Sequence, residues 1–101
     1  MAQPKRQIIT ADAAESLAIQ ALAFLAAEPE RLSRFLAVTG IGPHEIRAAA
    51  RESQFLVGVL DYLAGDEPLL IAFSAELQVD PADIVHARSV LGDPPVGRDV
   101  P

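Results

Sequence analysis

The chain contains no cysteine, no tryptophan, one lysine and one tyrosine. Without thiols it has no disulfides and no thiolate metal sites. No apolar run approaches the length that crosses a bilayer. The opening MAQPKRQIIT has basic residues but no apolar stretch behind them, so it does not read as a leader and the expectation is a soluble cytoplasmic protein. No segment alternates polar and apolar residues with period two, so no sheet is expected. Basic charge is missing from a whole region: Glu52 to Ala87 holds seven acids and no Lys or Arg. Residues 1–51 carry a net charge of +1, and residues 52–101 carry −7. A phosphate backbone is repelled by that second half, so any contact with nucleic acid must use the first.

Catalytic constellations are missing too. General acid–base or nucleophilic chemistry needs a base close to its nucleophile. His44, His86 and the five serines are scattered along the chain, and Lys5 stands in the N-terminal tail. No P-loop, dinucleotide fingerprint or spaced ligand set occurs, and the acids between Asp61 and Asp83 do not have calcium-loop spacing. They fall at helix starts, where the helix dipole stabilises negative charge. No enzyme, no cofactor and no metal is expected.

What the chain does have is helical periodicity, broken by prolines and glycines. Thr10 and Asp12 both suit an N-cap, and Asp12 with Glu15 forms a capping-box pattern. Helix 1 follows to about Ala27, with Ala18, Ala21, Leu22 and Leu25 on one face. Helix 2 starts at Glu28-Pro29, buries Leu32, Phe35 and Leu36, and stops at Gly40. Helix 3 starts at Gly42-Pro43, with Ile46, Ala49 and Ala50 inward and Arg47 and Arg51 outward. Gln54 to Gln78 is the densest apolar stretch, a helical hairpin broken at Gly65-Asp66. Its first arm, capped by Ser53, carries Leu56, Val59, Leu60 and Leu63. Its second arm, capped by Asp66, carries Leu70, Phe73 and Leu77. That arm is apolar nearly all round, which marks either a central helix or one partly covered by a second subunit. Helix 6 opens at Asp80-Pro81, uses Ile84, Ala87 and Leu91, and stops at Gly92. The fold class is all-α: one helical domain over 10–92 with six short helices, between flexible tails at 1–9 and 93–101.

A shift of 38 residues aligns the two halves without a gap, with nine identities between 21–51 and 59–89. Phe35/Phe73 and Pro43/Pro81 are among them, and phenylalanine is scarce here, with four in the chain. The expectation is two pseudo-repeated three-helix units, about 17–51 and 55–89. Ser74, Leu77, Val79 and Ile84 fit a helix-turn-helix pattern, with Gln78 where glycine is usual. The helix after that turn shows Asp80, Asp83, His86 and Arg88, a poor surface for phosphates, so the pattern reads as helix packing.

The first copy offers the better contact candidates. Gly40-Ile41-Gly42-Pro43 looks like the hairpin that holds a phosphate on backbone amides in helix-hairpin-helix proteins, and Arg47 and Arg51 could add contacts. The simpler reading is a cap followed by a helix start, because a short glycine motif is weak by itself. Leu69, Ile71, Phe55 and Tyr62 are the candidate oligomer interface.

Several strings together resemble a known family. They are Phe35-Leu36 before Gly40-Ile41, then Pro43, Ile46-Arg47 and Ala50, then Phe55-Leu56, Val59-Leu60-Asp61 and Leu63. Asp66-Glu67, Leu69-Leu70, Phe73 and Val79-Asp80-Pro81 complete the set. The pattern is similar to domain-of-unknown-function family 3572, small helical proteins of alphaproteobacteria. The resemblance implies no activity and no functional residues. It implies a regulatory setting, through genes lying near those of cell-cycle response regulators. The leading expectation is a non-enzymatic protein-interaction or regulatory module, with a protein partner or homodimer favoured over nucleic acid, and no membrane. The alternatives are a DNA-associated protein using Gly40, Gly42, Arg47 and Arg51, and a small-molecule binder with an apolar pocket between the copies.

Overall fold

The computed structural model describes residues 9–92. They form six α-helices: α1 Ala11–Ala26, α2 Pro29–Thr39, α3 Ile46–Ala49, α4 Ser53–Ala64, α5 Glu67–Leu77 and α6 Pro81–Gly92. A 3₁₀ turn, Pro43–Glu45, leads into α3, and no strand occurs among the described residues. The expected tails fall outside the described residues except for Ile9, which packs against the core rather than lying loose.

Local chemistry sets the boundaries. Thr10, not Asp12, caps α1, its hydroxyl accepting from the Ala13 amide at 3.1 Å. Asp66 caps α5 in the same way, accepting from the Leu69 amide at 3.2 Å. The N-cap of α4 is Glu52, not Ser53, and its side chain makes no capping bond. Prolines open α2 and α6 at their first positions, where no amide donor is needed.

The core is built by α1, α4 and α6, which pack on one another. α1 contributes a small-residue stripe, Ala14, Ala18 and Ala21, together with Leu22 and Leu25. Alanine brings the helix backbones close, and Leu56, Val59, Leu60 and Leu63 of α4 fill the space opposite with Ile84 and Ala87 of α6. α2 lies beside α1, and α5 lies beside α4. Each inserts one fully buried ring, Phe35 from α2 and Phe73 from α5. The insertions cross over: Phe35 meets Tyr62 and Phe55 of α4 at 5.1 and 5.9 Å, and Phe73 meets Phe24 of α1 at 5.2 Å. Removing a buried ring of this kind costs about 3–5 kcal/mol.

The elements keep a constant offset. α1 and α4 end at Ala26 and Ala64, α2 and α5 start at Pro29 and Glu67, and the third segments open at Pro43 and Pro81, each pair 38 residues apart. The two left-handed residues, Gly40 at φ 77° and Gln78 at φ 56°, keep the same spacing. The third segments differ. α6 runs twelve residues across α1 and α4, whereas α3 has four, because the chain must turn through Arg51 and Glu52 into α4. Arg51 therefore lies beyond α3, not one turn along it. A second correction concerns α5, which is peripheral. Only Phe73 and Ser74 of α5 are buried, and Ile71 is 53% exposed.

Two stability measurements follow. Gln78 is held in a backbone region that costs a side-chain-bearing residue about 1–2 kcal/mol. Gln78→Gly is expected to raise the thermal midpoint by several degrees, and Gly40→Ala to lower it by a similar amount through φ alone, since a Cβ there meets nothing within 4 Å. Ser74 is 5% exposed and its hydroxyl has no partner among the described residues. Ser74→Ala is expected to stabilise by about 1 kcal/mol, read as a midpoint rise of roughly 4–8 °C by circular dichroism.

Candidate functional site

The turn between α2 and the 3₁₀ segment is closed by its own side chains. The Gly40 amide donates to the Leu36 carbonyl at 2.8 Å. The Thr39 hydroxyl donates to the Phe35 carbonyl at 3.0 Å and accepts from the Ile41 amide at 3.3 Å. The Gly42 amide donates to Oε1 of Glu45 at 3.0 Å. All three amides that a phosphate would use therefore have internal acceptors. One of those acceptors is a carboxylate, which repels an anion as well as blocking it. The sequence carried this signal: a Glu three residues after an N-cap position is half of a capping box.

Arg47 and Arg51 are exposed and form no ion pair with a described residue. Beside them a cleft of about 600 Å³ is lined by Leu22 of α1 and by Pro43, His44, Ile46, Arg47 and Ala50. Its floor is apolar and its rim is cationic.

Other candidates are dispersed. Of the four proposed interface residues only Ile71 is exposed, while Leu69 is half-buried against the core. Phe55 and Tyr62 are half-buried, with their rings engaged by Phe35. Arg31 lies with its guanidinium 4.2 Å from the Phe24 ring centre, a cation–π contact joining α2 to α1. Asp80, just before α6, and Val85 and His86 on it face outward, and Arg88 pairs with Asp61 of α4 at 3.0 Å. The acids at the start of α6, Asp80 and Asp83, suit phosphates poorly. A hollow of about 250 Å³ lies between α1 and α5 beside Phe24 and Phe73, smaller than ordinary ligand pockets. His44 and His86 are both exposed and stand on separate elements. Among the described residues no group of three or more His, Cys, Asp or Glu could hold a metal, and no helix is long and apolar enough to cross a membrane.

A family model described as "Protein of unknown function (DUF3572)" matches residues 11–94. No curated protein and no solved structure matches the chain.

The closure of the turn is directly measurable. Glu45→Ala removes the acceptor of the Gly42 amide, so that amide is expected to shift in the ¹H–¹⁵N spectrum and exchange faster with solvent. The loss of stability should be about 0.5–1 kcal/mol, the low end for an exposed hydrogen bond.

Proposed function

Starting from a chain that belongs to the DUF3572 family, we propose a non-enzymatic protein-interaction module with a regulatory role in the cytoplasm. Its contact face is the cleft between α1 and α3. One observation carries this reading: an apolar floor of Leu22, Ile46 and Ala50 is edged by exposed Arg47, which has no ion-pair partner among the described residues. Apolar surface rimmed by charge is the usual composition of a protein contact, in which the buried centre supplies energy and the rim supplies selectivity. The net charge of −6 and the Glu45 carboxylate on the Gly42 amide both weigh against a phosphate backbone at the same face.

The reading is tested with immobilised protein and lysate of the cells that make it, wild type beside Arg47→Glu. The expected result is a protein retained by wild type, identified by mass spectrometry, and lost with the variant. In parallel, labelled duplex DNA at low salt should show no change in anisotropy. Identical retained sets, or tight DNA binding that falls steeply with salt, would overturn the proposal.

A further inference from the structure

We propose that the occupant of the α1/α3 cleft is helix α5 of a second copy of this chain, and that each copy receives the other's α5 in a twofold dimer. This rests on the reading of the cleft as a contact face and adds the identity of what fills it.

The charge distribution points to this partner. The cleft is edged by His44 and Arg47, with exposed Arg51 following Ala50 in the chain, while the other half of the chain, Glu52 to Ala87, holds seven acids and no Lys or Arg. The complement of the cleft is therefore present on every copy. α5 begins in the acidic pair Asp66-Glu67 and shows outward Glu67, Ile71 and Ala75, spaced four residues apart and so aligned in one stripe. That stripe is a carboxylate followed by an apolar ridge, and the cleft is a cationic rim beside an apolar floor.

The packing points the same way. α5 is composed almost wholly of apolar residues, yet within one chain it buries only Phe73 and Ser74, while Ile71 stays 53% exposed. The apolar content beyond what the chain's own core takes up lies on the acidic ridge. A cleft of about 600 Å³ holds several side chains, so it fits a ridge rather than a single residue. Because one copy carries both surfaces, a twofold arrangement uses each of them twice and leaves neither exposed.

Analytical ultracentrifugation of the full chain tests this, at protein concentrations up to about 0.5 mM and at low and high salt. Wild type is expected to dimerise, more weakly at high salt. Arg47→Glu, Glu67→Arg and Ile71→Asp, all at exposed positions, are each expected to weaken the dimer by about tenfold or more, with circular dichroism showing the fold retained. Combining Arg47→Glu with Glu67→Arg is expected to restore part of the loss. A wild-type chain that stays monomeric throughout, or a dimer indifferent to both Arg47→Glu and Ile71→Asp, would overturn the proposal. A monomer that still retains a different protein through Arg47 removes only the second copy and leaves the cleft as a contact face. A monomer with no Arg47-dependent retention removes both.

Discussion

The crossed insertion of two phenylalanines holds this fold together. α2 follows α1 in the chain, yet its Phe35 packs against rings on α4. α5 follows α4, yet its Phe73 packs against Phe24 on α1. Each short outer helix is thereby tied to the half of the chain that it does not belong to. Edge-on aromatic contacts add about 0.5–1.5 kcal/mol to what burial alone provides. They also fix where the outer helices sit. α2 runs one turn past Phe35 to Thr39, and the left-handed Gly40 then sends the chain toward α3. The cleft beside α3 lies where it does because of that anchoring.

Charge and apolarity are divided unevenly over this frame. The outer surface of the second half is acidic, and its one described arginine, Arg88, already bridges to Asp61. Arg47 and Arg51, without an ion-pair partner among the described residues, stand at the one element cut short, α3. On the proposed reading, this surface receives carboxylates of a protein partner. The Glu45 carboxylate, which takes up the Gly42 amide, weighs against an anion at the turn.

Much of this was legible in the sequence. Helix number, the prolines at helix starts, Gly40 as a terminator and the buried stripe of α4 all follow from local rules, because capping and periodicity act over a few residues. The role of α5 was not legible. Uniform apolarity suggests a centre, but whether a helix is central depends on what packs around it, and α6 takes that place by lying across both α1 and α4. The ring contacts of Phe55 and Tyr62 were not legible for a related reason: pairing with Phe35 across the chain leaves no mark on local periodicity. Of the candidate contact residues, Arg47 and Arg51 lie where expected at the surface, while Gly40 and Gly42 lie in a turn whose donors are already engaged.

The position of α6 also bears on how the chain is made. Its Ile84 and Ala87 close the core against α1, so the earliest and the latest of the described helices to emerge from the ribosome must meet. Until α6 is released, the alanine stripe of α1 and the leucines of α4 have no third wall, and the nascent chain carries exposed apolar surface. Synthesis must therefore reach α6 before the fold can lock. A chain interrupted before Pro81 is left with an open core, which makes it a substrate for chaperones and proteases rather than a smaller working version of the protein.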